Sequence, residues 1–111
     1  MADFQVSKTG PITVVKISGR FTVEDKDEFM LITEDKIDLA SEGTCIDTSD
    51  LKYIDSSGIG DLLKLKMEAS KQNHTIYVMG LNEAIEKVFR MARLDSVFQM
   101  ITEPEFNEKF G

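Results

Sequence analysis

Segments rich in β-branched residues alternate with amphipathic segments along most of this 111-residue chain. Two predicted strands come first, Phe4–Ser7 and Ile12–Ser18, and the turn at Gly10-Pro11 joins them into a predicted hairpin. Strands and helices alternate after the hairpin, which is typical of right-handed crossovers between parallel strands. The order therefore predicts an α/β fold with a mixed, mostly parallel sheet of about five strands after an N-terminal hairpin, together with about four helices.

Capping and turn residues mark where the later predicted elements begin and end. Thr22 precedes an acidic turn and is the expected N-cap of the first helix, and Asn82 is the expected N-cap of the third. The segment between the third strand and the second helix is predicted to be a turn. The helices are predicted over residues 23–40, 57–71, from 82 onward and 103–110, and the later strands over 44–48, 75–79 and 97–101.

The apolar residues of the second predicted helix fall mainly on one arc, which we expect to face the core. The methionines are likewise expected to be ordinary core residues. The arc comprises Ile59, Leu62, Leu63 and Met67, widened by Leu65 and Ala69, and the methionines are Met67, Met79, Met91 and Met100.

The composition limits the classes of function that this chain can have. Its net charge of −7 and pI of about 4.6 argue against nucleic-acid binding, which needs clustered basic residues. No basic leader and no run of 18 apolar residues is present, so we expect a soluble, cytoplasmic protein without membrane contact. The length fits one domain over residues 1–111. Cys45 is the only cysteine, which excludes an internal disulfide and predicts a buried structural thiol.

The predicted entrance of the second helix carries the strongest functional signal. Asp55, Ser56 and Ser57 are followed by Gly58 and Gly60, so a serine hydroxyl lies beside free backbone N–H groups and the positive end of the helix dipole. A phosphate can be added and removed there without burial, which predicts a regulatory serine. The two glycines are expected to let a partner's backbone approach. The alternative is that the serines only cap the helix and the glycines shape a tight turn.

Other chemistry has weaker support in the sequence. His74 has no neighbouring Cys or His and makes a poor metal ligand, and Ser56 has no evident histidine base. Asp47, Asp50 and Asp55 together suggest a Mg²⁺ site, but their spacing fits no known calcium or magnesium loop. We therefore predict no catalytic residue, no metal and no cofactor.

The segment D-L-K-Y-I-D-S-S-G-I-G, in this order of elements, resembles the STAS domain and, more narrowly, the stand-alone bacterial anti-sigma factor antagonists. Their hallmark is Asp-Ser-Ser/Thr-Gly-Leu-Gly after a strand that ends in Asp-Leu-Ser. Here the strand exit is Asp47-Thr48-Ser49 and the hallmark is residues 55–60. The resemblance covers nearly the whole chain and includes Gly19 and Gly80.

The resemblance implies a non-enzymatic switch, a monomer or weak dimer. In that family the serine after the motif aspartate, Ser56 here, is phosphorylated by a partner kinase that is also the anti-sigma factor. The unphosphorylated domain binds this partner and frees a sigma factor, and a phosphatase resets the phosphorylated form. The expected partner-binding residues are Asp55, Ser57, Gly58, Ile59, Gly60, Asp61 and Thr22.

Two departures from the family pattern bear on this expectation. Thr22 replaces an aspartate that many members carry, and Asp61 replaces a small apolar residue and is expected to add charge close to the contact surface. One alternative is a STAS subunit of another signalling or transport complex, acting as a constitutive protein-binding module without phosphorylation. A second is a small enzyme or nucleotide-binding domain that uses the acidic cluster.

Overall fold

The N-terminal hairpin starts a mixed sheet in the computed structural model, which describes residues 1–111. Strand β1 (Ala2–Thr9) pairs antiparallel with β2 (Ile12–Phe21). The other edge of β2 is shared, because β3 (Gly43–Asp47) pairs in parallel with its first half and β4 (Leu51–Ile54) with its last residues. The carboxyl ends of β2 and β4 therefore meet at one edge of the sheet.

The remaining strands extend the sheet on the far side of β3. Strand β5 (Thr75–Met79) pairs in parallel with β3, and β6 (Gln99–Met100) pairs in parallel with β5. The order is β1-β2-β3-β5-β6, with β4 beside β2. This architecture confirms the predicted α/β class with its N-terminal hairpin and mostly parallel sheet. The four helices are α1 (Lys26–Lys36), α2 (Ser56–Ser70), α3 (Glu83–Met91) and α4 (Glu103–Phe110).

Helices cover both faces of the sheet, since alternate strand residues point to opposite sides. On one face, 18 buried residues join the strands to α1, α2 and α3; Phe29, Leu62 and Phe89 come from these helices. On the other face, a cluster of six includes Cys45 and Phe106, so α4 covers this side. No helix has the length and apolar composition needed to span a bilayer.

Strand β4 was not predicted, and the expected turn at this position is wrong. Only Leu51 and Ile54 are buried in it, whereas Lys52 and Tyr53 between them are exposed. A four-residue strand with apolar ends and an exposed centre gives no alternating pattern. The first strand is longer than predicted. The last strand begins at Gln99 rather than Val97, because Val97 has a helical conformation and caps the preceding 3₁₀ turn (Leu94–Ser96).

The first helix is shorter than the predicted span of 23–40. Thr22 is the N-cap, as expected, but of a 3₁₀ turn (Val23–Asp25) that leads into α1. The helix ends at Lys36 because Ile37 adopts an extended conformation and is buried in the core. Ala40, expected on the inner face, is exposed. The second helix starts one residue earlier than predicted, and Asn82 caps α3 as expected by accepting a hydrogen bond from the Ile85 N–H.

Burial of the Cys45 thiol, together with the nearby Asp47 carboxylate, raises its pKa from about 9 to about 12. Between these values the unfolded chain releases a proton that the folded chain keeps, so stability falls as the pH rises above about 9. Urea unfolding from pH 8 to 11 is expected to show this loss for the wild type. Cys45→Ala should be less stable than the wild type at pH 8 and should show a weaker pH dependence, and equal pH slopes would contradict this account.

Candidate functional site

The candidate site lies where β2 and β4 end side by side. Asp55 follows β4, and its Oδ1 accepts a hydrogen bond from the Gly58 N–H at 2.8 Å, which caps α2. Its Oδ2 accepts a hydrogen bond from the Val23 N–H at 3.2 Å, at the start of the connection from β2 to α1. The Asp55 N–H donates to the carbonyl of Phe21. One side chain therefore fixes the entrance of α2 against the end of β2.

Ser56 is the first residue of α2, and its side chain is exposed. The side chains of Asp55 and Thr22, not that of Ser56, accept the hydrogen bonds that hold the start of α2 beside the end of β2. Ser57, the next residue, is half-buried. Of the two serines, Ser56 therefore presents the more accessible hydroxyl, at a helix terminus whose geometry does not depend on it.

The two glycines of the motif differ in their surroundings. Gly58 is buried, and a Cβ atom there would lie 2.8 Å from the carbonyl oxygen of Phe21 and 2.9 Å from Ile54 Cγ1. The expectation that Gly58 makes room for a partner is wrong, because this chain's own β2 and β4 fill that space. Gly60 is exposed, and a Cβ there would meet no atom within 4 Å. Only Gly60 leaves the helix surface open.

Asp61 lies between α1 and α2 rather than on the expected contact surface. Its side chain is only 4% exposed because residue 61 shares the inner face of α2 with Gly58, Leu62 and Leu65. Asp61 Oδ1 accepts a hydrogen bond from Lys26 Nζ at 2.9 Å, whereas Oδ2 has no partner. The hydrogen bond and charge of Asp61 raise the pKa of Lys26. The expected addition of charge near the contact surface is therefore wrong.

The ion pair between the half-exposed Lys26 and the buried Asp61 leads to a testable ranking of variants. Lys26→Met leaves the Asp61 carboxylate buried without any partner, which is costly. Asp61→Leu removes that carboxylate together with its unpaired oxygen and leaves Lys26 free to reach solvent. Urea unfolding is expected to rank Lys26→Met as clearly less stable than Asp61→Leu. Both variants lose the attraction between the two charges, so the reverse order would mean that the unpaired Asp61 carboxylate costs less than placing leucine at position 61.

Thr22 stands where an aspartate was expected from the resemblance. A different aspartate, Asp25, lies three residues later and is buried. Asp25 Oδ2 accepts from the Thr22 N–H at 3.0 Å, and Oδ1 accepts from the Ala2 N–H at 2.9 Å. Asp25 is 1% exposed, so it anchors β1 to the start of the first helical turn instead of facing a partner. Thr22 and Asp25 form a capping box, which agrees with the expected N-cap at Thr22. The bond to Ala2 was not predicted.

The other carboxylates near the site are engaged separately. Asp50 forms an ion pair with Lys16 at 3.0 Å, and Asp47 accepts a hydrogen bond from the Ser49 N–H. Asp55 caps α2, so these three carboxylates do not form a shared magnesium site. No group of three or more His, Cys, Asp or Glu residues is arranged to hold a metal ion. His74 is buried, with its ring nitrogens 2.8 Å from Thr44 Oγ1 and 2.9 Å from the Ser41 carbonyl.

An apolar stripe continues from Ser56 along the outward face of α2. The stripe consists of Ile59, Leu63 and Met67, which share one helix face with Ser56 and Gly60. Ile59 and Leu63 are half-buried and Met67 is 65% exposed, so the prediction that Met67 lies in the core is wrong, as it is for Met91 at 76% exposure. Val23 beside Asp55 is 62% exposed. We call Ser56, Gly60, Val23 and the stripe the α2 entrance surface.

The chain was compared with known families and structures. Residues 4–102 match the family model described as Mlab, STAS domain, whereas no curated protein sequence matches. A Thermotoga maritima protein, provisionally assigned as an anti-sigma factor antagonist, superposes with a TM-score of 0.83 at 19% identity, covering 96% of this chain and 93% of that chain.

Two further proteins share the fold at similarly low identity. The anti-sigma factor antagonist SpoIIAA in its unphosphorylated form has a TM-score of 0.68 and 18% identity over 96% of both chains. The phosphorylated form, from Bacillus, has a TM-score of 0.66 and 19% identity, covering 96% of this chain and 98% of that chain. A sulfate transporter family protein from Wolinella succinogenes has a TM-score of 0.74 and 14% identity over 92% and 88%. At these identities the likeness shows the fold alone.

Proposed function

The chain belongs to the family described as Mlab, STAS domain, and from this premise we propose that it is an anti-sigma factor antagonist. Its unphosphorylated form binds an anti-sigma factor that is also a serine kinase, and this binding releases a sigma factor. Phosphorylation of Ser56 abolishes the complex, and a phosphatase restores it. The protein acts in the cytoplasm as a regulator and has no catalytic activity of its own.

The observation that carries this proposal is the exposed Ser56 at the first position of a helix whose entrance is held by Asp55. The two hydrogen bonds of Asp55, to Gly58 and Val23, fix the backbone around Ser56 without using its hydroxyl. A kinase can therefore modify the hydroxyl while the fold stays unchanged. The phosphorylated and unphosphorylated structures of SpoIIAA, which share this fold, are consistent with such a switch in the family.

The surroundings of Ser56 explain how one phosphate would prevent binding. A phosphate adds about −1.5 to −2 charges at neutral pH. The helix dipole tolerates this charge within the free protein, so the fold is retained. The same charge lies beside the apolar stripe and the open surface at Gly60, where a partner would have to desolvate it. Loss of a central contact can cost several kcal/mol of binding energy, so no refolding is needed to break the complex.

Intact-mass spectrometry tests the modification directly. The chain is incubated with Mg-ATP and the candidate anti-sigma factor kinases of its own organism, and Ser56→Ala and Ser57→Ala are treated in parallel. We expect the wild type and Ser57→Ala to gain one phosphate and Ser56→Ala to gain none. Phosphate on Ser57, or on neither serine while a kinase complex forms, would contradict the proposed switch.

A second candidate function is a constitutive binding module within a transport complex. The family description names Mlab, and the Wolinella succinogenes protein of this fold belongs to a sulfate transporter family. In that case the α2 entrance surface would bind its partner without any phosphate cycle. A stable complex with a transporter subunit, with equal affinity for wild type and Ser56→Ala and no phosphate transfer, would favour this alternative.

A further inference from the structure

A cleft of about 540 Å³ lies at the carboxyl edge of β5 and β6, between α3 and α4. It has its own lining and shares no residue with the α2 entrance surface. Its apolar part comes from Val78, Leu81, Phe89, Met100 and Ile101. This volume falls within the range of small-molecule sites, and crevices outside the carboxyl ends of parallel strands are common places for ligands.

The rim of the cleft is strongly acidic. Glu86 and Arg90 come from α3, Asp95 from the following 3₁₀ turn, and Glu103 and Glu105 from the first turn of α4. Four carboxylates therefore face one guanidinium. The two ion pairs of the chain, Lys16–Asp50 and Lys26–Asp61, involve none of these residues. Arg90 lies in the rim and Lys16 lies near Glu103, but the four carboxylates outnumber these two cations. The net negative field of the rim attracts a positive ligand.

The N-terminus of α4, which borders this cleft, is poorly suited to bind an anion. The Glu105 N–H donates to Thr102 Oγ1, and the Phe106 N–H donates to the Thr102 carbonyl. Pro104 has no N–H, so most donors of this first turn are already used or missing. The Glu105 carboxylate in turn accepts from the Thr102 N–H, and this bond lowers the pKa of Glu105. The hydrogen bond holds this carboxylate in place beside the cleft.

From this combination of an apolar floor and a rim with an excess of carboxylates, we infer that the cleft binds a small organic cation with an apolar body, such as an aryl-alkyl amine. The apolar body packs against the half-buried side chains of Leu81 and Met100, and the ammonium group lies near Glu86 and Asp95. This inference is independent of the proposed phosphorylation switch. It gives the chain a second site, which recognises a small ligand by its positive charge.

Three probes of nearly equal shape test this site by NMR. ¹⁵N-labelled full-length chain is titrated with 4-phenylbutylamine, 4-phenylbutanol or 4-phenylbutyrate at millimolar concentrations. The amine is expected to shift the amide signals of Gly80, Leu81, Arg90 and Thr102 in a saturable way. The neutral alcohol should bind several-fold more weakly, and the carboxylate should not saturate.

Matched variants separate the cleft from general surface charge. Glu86→Gln and Asp95→Asn are each expected to weaken amine binding about threefold, since each removes one solvent-exposed charge. Glu68→Gln removes an exposed charge on α2 outside the cleft and should leave the affinity unchanged. The inference is overturned if the carboxylate binds as well as the amine, if all three variants behave alike, or if no probe shifts the cleft signals.

Discussion

Replacing Gly58 by alanine is expected to lower the free energy of unfolding by about 1–3 kcal/mol, although alanine favours helices over glycine. The added Cβ would lie 2.8 Å from the Phe21 carbonyl oxygen and 2.9 Å from Ile54 Cγ1. The first of these atoms belongs to the backbone of β2, so relief requires moving a strand or the start of α2. Because Asp55 ties both together, such a movement also strains the helix cap.

Gly60→Ala is the matched control for this prediction. It lies two residues later in the same helix, and its Cβ would meet no atom within 4 Å. Without steric conflict only the helix preference remains, so this variant is expected to gain about 0.5–1 kcal/mol. Urea unfolding of both variants measures the difference. Equal stabilities would show that the corner between β4 and α2 relaxes easily and that Gly58 is not required for close packing.

Ser56→Asp is expected to weaken the proposed complex with the anti-sigma factor kinase by about 100-fold or more, because it adds a charge at the centre of the proposed contact. The substitution should not unfold the chain, since a carboxylate in the first turn of a helix is favoured by the dipole. Isothermal titration calorimetry measures the affinity, and thermal unfolding checks the fold. Ser56→Ala is expected to bind with nearly wild-type affinity.

The position of the charge is controlled by Ser70→Asp. Ser70 is the last residue of α2, is exposed and lies at the opposite end of the helix from Ser56. This variant carries the same net charge as Ser56→Asp, so it should bind like the wild type if the effect is local. Equal losses in both aspartate variants would instead indicate that the partner senses the total charge of this acidic chain.

Patterns that are local in sequence predicted much of the fold. The hairpin follows from a turn signal between β-branched segments, and the capping residues Thr22 and Asn82 follow from side-chain chemistry within one helical turn. The alternation after the hairpin gave the mostly parallel sheet. The entrance of the second helix was predicted to within one residue, but its cap was expected from the serines, whereas Asp55 provides it.

Features that depend on tertiary contacts were not predicted. Helix α2 has apolar residues on two faces, and periodicity alone did not show that Leu62 and Leu65 point inward while Met67 points out. The pairing of Asp61 with Lys26 was not predicted, because the two residues are 35 positions apart in sequence. The sequence has glycine at both positions 58 and 60, and only the close approach of β2 to Gly58 shows that a side chain would clash there and not at Gly60. Strand β4 depends on the free edge of β2, which sequence alone does not reveal.

A sigma-release assay tests the central claim most directly. The chain is added to a preformed complex of the anti-sigma factor kinase with its sigma factor, and free sigma factor is measured by size-exclusion chromatography. The account predicts release by the unphosphorylated chain and none by the chain phosphorylated on Ser56. Equal release by both forms, or binding of the unphosphorylated chain without any release, would contradict it.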